Sequence, residues 1–258
     1  MRGGKVTLKI SPSLANDDNG TARPAKDRAY FTILHNILDG KYCAGERLTE
    51  SRLTAELSLS RISVREALIR LAHEGAIDLH RHRGASLRVL TRKDIAEFFD
   101  VRSMFESRSA AAAAGRIGEK CCDAQRHRLV DHLVKLRKWA GGTTVCDTEE
   151  FAEHNQQFHQ SVIELGGNQL LVKFWNGLQL PQQRLRFIQP YGLSDLETSI
   201  VEHLRIVEAI LAGDALSAES YTRSHTNHVA ARLYALSDRE FNLIFNPGIG
   251  GPLGPDFS

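Results

Sequence analysis

The chain has 258 residues, of which 42% are hydrophobic and 25% charged, and its formal net charge is +2. These values are ordinary for a soluble globular protein and allow two modest domains. No apolar run approaches the roughly 20 residues that a bilayer-spanning helix needs, and residues 1–20 contain no apolar core of signal-peptide length. We therefore expect a cytoplasmic protein with no membrane partner.

Charge is distributed unevenly along the chain. Residues 26–92 carry a net positive charge, whereas residues 93–258 carry a net negative charge. A basic front and an acidic back suggest that the two parts meet different partners. The cysteines form no C-x-x-C pair, so we expect reduced thiols that are structurally incidental: Cys43, Cys121, Cys122 and Cys146.

The first predicted elements are three helices behind a flexible arm. Residues 1–24 are rich in Gly, Ser, Asn and Asp, a composition typical of flexible segments. Apolar residues then recur at helical spacing as far as Gly40. Residues 49–57 predict a short second helix with Thr49 as its N-cap. A third helix is predicted from the cap Ser60 to about residue 74, where Gly75 ends it.

A hairpin and a helical bundle are predicted to follow. Residues 76–90 alternate apolar and polar side chains around Arg83-Gly84, which predicts two short strands and a tight turn. Helix, helix, turn, helix and hairpin is the order of a winged helix-turn-helix, here residues 25–91. Short Gly-containing loops then separate six predicted helices in residues 92–236, which indicates an antiparallel all-α bundle: 92–115, 119–140, 148–165, 168–188, 194–212 and 215–236. Residues 237–258 form a Gly/Pro-rich tail.

The third helix has the character of a helix that reads DNA. Four apolar residues at helical spacing predict its buried face: Val64, Ala67, Leu68 and Leu71. Its N-terminal half, where a recognition helix meets base edges and phosphates, is polar and basic: Ser60, Arg61, Ser63 and Arg65. Arg52 on the second helix can reach the DNA backbone, and Arg83 lies at the tip of the hairpin. The alternative is a solvated basic helix beside a surface hairpin.

One long, ordered pattern carries a family resemblance. From Gly40 to Gly84 the chain contains, in order, GERLTE, SR, VREAL, EG and RG. This pattern resembles the signature of the GntR family of bacterial transcriptional regulators. The resemblance implies a homodimer that binds a short palindromic operator in double-stranded DNA. It assigns DNA contacts to Arg61, Arg65 and the wing residues Arg83 and Gly84. On the second helix, the family's arginine position falls on Ser51, with Arg52 beside it.

The back domain contains a candidate metal site. Asn155 and His159 lie four residues apart, on one helical face. His203 lies 10 residues before Gly213 and His225 lies 11 after Asp214, so at about 1.5 Å per residue both are roughly 15 Å from the turn. In an antiparallel hairpin they are therefore level. Imidazole is the commonest transition-metal ligand, and its nitrogen suits zinc. The alternative is a set of unrelated histidines.

The surrounding residues resemble the FCD ligand-binding domain of the FadR-like subgroup. The matching stretches are "FH…GN" from residue 158 and "EH…AI…GD…A…H" from residue 202. The resemblance implies a divalent metal, zinc in the first place with nickel and manganese as alternatives, bound by three histidines and an oxygen ligand. Asn155 stands where an aspartate is common. Arg102 occupies the position of an arginine that binds a small carboxylate effector, although an ion pair with Glu106 explains it equally well.

These features predict a mainly α protein, a winged helix-turn-helix followed by an all-α bundle, that acts as a ligand-responsive transcriptional repressor and not as an enzyme. Two alternatives stay open at this stage. One is a metal-independent regulator that binds an acyl ligand. The other is a metallohydrolase with a DNA-binding module, against which the lack of an H-E-x-x-H motif argues.

Overall fold

A computed structural model describes residues 23–38, 40–80, 84–178, 193–246 and 249. The chain divides into two compact units. Of the described residues, one unit comprises those up to Leu90 together with those from Ser237 onward, and the other runs from Thr91 to Leu236. The predicted fold class, mainly α with a winged helix-turn-helix followed by a helical bundle, is confirmed. Among the helices of the described ranges, none combines the length and apolar character that a membrane crossing requires.

The N-terminal unit begins with three helices and a small sheet. Helices α1 and α2 both pack against α3. The sheet is antiparallel, in the order β1-β3-β2, with Leu48 opposite Ala85 and Ile77 opposite Leu87. The predicted two-stranded hairpin is therefore part of a three-stranded sheet. Strand β1 could not be predicted because its two residues are too few to give a periodicity signal. The elements are α1 (Ala25–Leu38), β1 (Arg47–Leu48), α2 (Glu50–Leu57), α3 (Arg61–His73), β2 (Ile77–His80) and β3 (Gly84–Leu87).

The second unit is all-helical. Helix α4 packs against α6 and α9, and α5 packs against α6 and α8, around a core of alanines on α4 and larger apolar side chains on the other helices. Thr91 and Asp94 form a capping box that fixes the start of α4. The elements are α4 (Arg92–Arg116), a 3-10 turn (Lys120–Cys122), α5 (Asp123–Ala140), α6 (Thr148–Leu165), α7 (Gln169–Gly177), α8 (Leu193–Leu211) and α9 (Ala215–Ala235). The helix predicted over 168–188 is observed to residue 177, and its predicted end lies outside the described residues.

A further helix stands where only a tail was predicted. Helix α10 (Asp238–Phe245) belongs to the N-terminal unit. Ser237 and Glu240 form a capping box at its start, and three apolar residues at helical spacing bury one face of it: Phe241, Ile244 and Phe245. After the helix, the buried Asn246 side chain pairs with both backbone groups of Leu90, at 2.8 Å each. Asn246 thus connects the end of α10 to Leu90, which follows β3.

Candidate functional site

Helix α3 is held so that one face is buried and the other is open. The side chain of Ser60 accepts a hydrogen bond from the backbone N–H of Ser63 at 3.1 Å, which caps the helix. The four predicted apolar residues are buried in the unit's core: Val64, Ala67, Leu68 and Leu71. The N-terminal half of α3 therefore presents Arg61, Ile62, Arg65 and Glu66 to solvent, as a recognition helix requires.

Three neighbouring side chains dominate the open face of α3. Arg61 and Arg65 are both exposed, one helical turn apart, and Ile62 between them is 73% exposed. Glu50 accepts two hydrogen bonds from Arg65, from Nε at 2.7 Å and from Nη2 at 2.9 Å. An exposed pair of this kind is worth little in water, so Arg65 can exchange Glu50 for a guanine edge or a phosphate at small cost. An aliphatic side chain such as Ile62 suits the methyl group of thymine.

The other predicted DNA-contacting residues of α2 and α3 differ in exposure. Ser51 and Ser60 are exposed. Arg52 is exposed but lies 2.5 Å from Glu46 and 3.8 Å from Glu56. Ser63 is buried and its hydroxyl lies 2.9 Å from that of Ser60, which gives it a capping role. Of these two neighbours on α2, Arg52 is therefore engaged with carboxylates, whereas Ser51 is exposed.

The wing is described only in part. Arg83 lies outside the described residues. Gly84 begins β3 with a φ of 83°, and a Cβ at this position would lie 2.7 Å from the carbonyl oxygen of Leu48. Only glycine fits both the positive φ and this close approach. Gly84 is thus required by the fold, and its contact with DNA stays a prediction.

The second candidate site is a buried cluster of three histidines from three helices. His159 lies on α6, His203 on α8 and His225 on α9, and all three are buried. One nitrogen of each ring lies within 4.8 Å of a nitrogen of the others. Asn155, half-buried one turn before His159, places its Oδ1 3.2 Å from His159 Nε2. The structure therefore brings together all four residues that the sequence predicted.

Two carboxylates orient two of the three imidazoles. Glu106 on α4 lies 2.7 Å from His159 Nδ1, and Glu202 lies 2.7 Å from His225 Nδ1. A proton on Nδ1 of each ring leaves its Nε2 lone pair directed into the cluster. Metal-binding histidines commonly have such a carboxylate partner, which fixes the tautomer and raises the basicity of the ligand nitrogen.

Two spacings between donor atoms in the cluster match those around one small divalent cation. Two ligands at about 2.0–2.1 Å from a tetrahedral zinc lie about 3.3 Å apart. The distance from His203 Nε2 to His225 Nε2 is 3.2 Å, and that from His159 Nε2 to Asn155 Oδ1 is also 3.2 Å. These four residues could therefore hold a metal with three nitrogen ligands and one oxygen ligand.

Burial and neighbouring charges hold the groups of the cluster in the protonation states that bind a cation. Burial lowers the pKa of His159 to about 4 and lowers that of His203 well below its ordinary value. Both rings are therefore neutral near pH 7, the form that binds metal. Burial acts to raise the pKa of Glu106, but Arg102 and His159 together lower it to about 2. Glu106 thus carries its negative charge at the edge of the cluster.

Arg102 is placed beside this cluster but is engaged with a carboxylate. It is buried, and its Nε donates to Glu106, the same carboxylate that orients His159. Its guanidinium carbon lies 5.5 Å from the ring centroid of Phe99 and 5.8 Å from that of Trp175. The ion pair that the sequence allowed is therefore present, and a role in effector binding stays a prediction.

The sequence does not predict the contacts of two carboxylates with the histidines. It pairs Glu106 with Arg102 only, and it gives no role to Glu202. Glu202 is adjacent to His203 in the sequence, but the histidine that it contacts is His225 on the next helix. The sequence therefore gives no signal of this contact. His228 is exposed and its Nδ1 lies 2.5 Å from Glu202, so it contacts the same carboxylate from outside.

A winged helix-turn-helix unit joined to an all-helical unit defines a class of bacterial DNA-binding regulators. Two family models match: "Bacterial regulatory proteins, gntR family" over residues 25–89 and "FCD domain" over residues 97–228. The chain therefore belongs to the GntR family of transcriptional regulators and carries an FCD domain.

Relatives and solved structures agree with this assignment. The chain is 31% identical to the gluconate operon transcriptional repressor of Bacillus licheniformis, over 69% of this chain and 72% of that protein. It is 30% identical to the gluconate operon transcriptional repressor of Bacillus subtilis, over 72% and 76%. McbR/YncC of Escherichia coli has the same fold, with a TM-score of 0.62 at 19% identity over 82% of this chain and 98% of that one.

Proposed function

We propose that this regulator is a homodimeric repressor whose C-terminal unit binds a divalent cation, zinc in the first place, and a small carboxylate effector. The observation that carries the proposal is the buried cluster of His159, His203 and His225, with Asn155 completing a four-ligand set. Three imidazoles and an ion pair buried inside the bundle are costly unless they are satisfied together. A bound cation would satisfy them.

The N-terminal unit supplies operator binding. Arg61 and Arg65 on the open face of α3 neutralise phosphates or pair with guanine edges, and Ile62 contacts a neighbouring base. In a two-fold dimer the two recognition helices read half-sites about 34–36 Å apart. This arrangement accounts for a palindromic operator.

The C-terminal unit supplies the response. A divalent cation held there would supply positive charge, and expansion beyond its four protein ligands would admit a carboxylate. Asn155 and the three histidines hold it, while Glu106 and Glu202 keep the ligand nitrogens oriented. The guanidinium of Arg102 has five N–H donors. Its Nε–H lies against Glu106, and the other N–H groups would meet the effector carboxylate.

Repression is relieved by differential affinity. An effector can change operator binding only if it binds one dimer geometry better than another. We propose that the effector favours a geometry in which the two α3 helices no longer match their half-sites. Nickel and manganese are alternatives to zinc at the same donor set.

Metal analysis and operator selection test the two binding functions separately. By elemental analysis, purified wild-type protein is expected to contain about one equivalent of divalent metal per chain more than the His203→Ala/His225→Ala variant. A wild-type protein without metal would reject the metal site and favour a metal-independent regulator. Selection of bound fragments from genomic DNA is expected to yield a palindrome. D-gluconate, the carboxylate in the names of two relatives' operons, is the first effector to try.

A further inference from the structure

A second group of metal-ligating side chains lies away from the histidine cluster. Glu119, Cys121 and Cys122 surround the short 3-10 turn between α4 and α5, and their ligand atoms lie within 4.8 Å of one another. Glu119 and Cys121 are exposed, whereas Cys122 is buried against the core of the unit. The group is thus anchored on one side and open to solvent on the other.

The donor spacing fits a thiophilic cation. The two Sγ atoms lie 3.8 Å apart, and two thiolates at about 2.3 Å from a tetrahedral zinc lie about 3.8 Å apart. Glu119 Oε2 lies 3.3 Å from Cys121 Sγ and 4.0 Å from Cys122 Sγ. Sulfur and oxygen ligands of one such cation are separated by about 3.5 Å. Shifts of a few tenths of an ångström would therefore complete the triangle.

The charge of the group is also suited to a divalent cation. Binding would release one proton from each thiol, because the thiolate is the ligand. Two thiolates and the Glu119 carboxylate exceed a divalent cation by one negative charge. Arg116 supplies the balancing positive charge, since its Nε lies 3.2 Å from Glu119 Oε2 and its Nη2 lies 3.8 Å from Cys121 Sγ.

Arg116 also fixes the place of the group in the fold. Its Nη1 donates to the backbone carbonyl of Leu165 at 3.2 Å, which ties the end of α4 to the end of α6. The arginine beside the thiols is therefore held in position, and the two cysteines are held by the turn that links α4 to α5.

From this geometry we propose that Glu119, Cys121 and Cys122 form a second cation site, selective for thiophilic divalent ions of the zinc and cadmium class and distinct from the histidine cluster. Vicinal thiols with an adjacent carboxylate favour soft cations over magnesium or calcium, which prefer oxygen ligands. A solvent molecule would complete four-fold coordination.

Cadmium is the probe, because thiolate ligation produces an ultraviolet charge-transfer band that imidazole ligation does not. Reduced full-length protein titrated with Cd²⁺ is expected to develop this band and to saturate at one thiol-bound equivalent. Cys121→Ser, which alters an exposed side chain, is expected to lose at least half of the band and to weaken Cd²⁺ binding at least about tenfold. Glu119→Gln is expected to keep the band but weaken binding by a similar factor.

Cys146→Ser is the matched control, since Cys146 is a free thiol outside the group. It is expected to leave the band and the affinity unchanged, and circular dichroism checks that each variant is folded. The same band in the His203→Ala/His225→Ala variant would show that the two sites are independent. The proposal is overturned if the wild type gives no band, if Cys121→Ser retains it in full, or if Cys146→Ser removes it.

Discussion

His203 Nε2 lies 3.2 Å from His225 Nε2, although 22 residues separate the two histidines. The chain reverses between them at Gly213, whose φ is 75°, and α8 and α9 run antiparallel from this turn. The two imidazoles therefore meet because they are at the same height above one turn. His159 on α6 completes the cluster from a third helix, so a cation here would connect three separate elements of the bundle.

A carboxylate at position 155 is expected to tighten metal binding. Asn155 contributes a neutral amide oxygen, and Asn155→Asp replaces it with a charged oxygen at the same place. Ligand charge raises affinity for a divalent cation. Competition with a chromophoric chelator would measure this as a lower Kd for zinc. Asn168→Asp, at the N-cap of α7, adds the same charge elsewhere and is expected to leave the Kd unchanged. Equal affinity in Asn155→Asp and the wild type would remove residue 155 from the ligand set.

Loss of the charge on Glu202 is expected to weaken metal binding without removing a ligand. Glu202 contacts Nδ1 of His225 at 2.7 Å, and partners of this kind contribute about 10–100-fold to metal affinity. Isothermal titration of Glu202→Gln with zinc should show a fall in that range at unchanged stoichiometry. His228→Gln alters the exposed ring on the same carboxylate and should have a much smaller effect. The role given to Glu202 is wrong if both variants bind zinc like the wild type.

Removal of Arg65 is expected to weaken specific operator binding and preserve the fold. Its exposed ion pair with Glu50 contributes little to stability, whereas a bidentate contact with guanine is worth about 1–3 kcal/mol. Fluorescence anisotropy on the selected operator should show at least about fivefold weaker binding by Arg65→Ala. Arg128→Ala removes a comparable surface ion pair with Glu164 in the other unit and should bind normally. An unchanged Kd for Arg65→Ala would contradict the assignment of α3 as the recognition helix.

Asn246 is expected to stabilise the N-terminal unit specifically. Its side chain satisfies both the N–H and the C=O of Leu90 in a buried position, and each unsatisfied buried group costs about 1–3 kcal/mol. Hydrogen exchange by mass spectrometry should therefore show faster exchange in α10 and around Leu90 for Asn246→Ala. Peptides from α5 serve as an internal reference and should exchange at the wild-type rate. Equal exchange rates of these peptides in Asn246→Ala and the wild type would mean that the apolar face of α10 is enough to hold the helix in place.

The sequence predicted those features that depend on local periodicity or on spacing along a single helix pair. Helical rise alone placed His203 and His225 at one height, and the apolar spacing of α3 predicted its buried face. Contacts between helices were not predictable in the same way. The approach of Glu106 to His159 depends on how α4 packs on α6, and no pattern along either helix specifies it.

Helix α10 is absent from the prediction for a different reason. Its signals were present, since Ser237 and Glu240 have capping-box spacing and Phe241, Ile244 and Phe245 follow at helical intervals. The Gly/Pro-rich residues after Asn246 outweighed them in the prediction. Strand β1 was missed for a simpler reason, because its two residues are defined by pairing with β3 rather than by their own sequence.

The most direct test of the central claim is the operator Kd measured with and without carboxylate, in the zinc-loaded wild type and in the His203→Ala/His225→Ala variant. The proposed coupling predicts that D-gluconate or another member of a panel of small carboxylates weakens operator binding by the wild type at least about fivefold. The double variant should show no response. An identical Kd with and without every carboxylate in the wild type, or an equal response in the double variant, would contradict sensing through the histidine cluster.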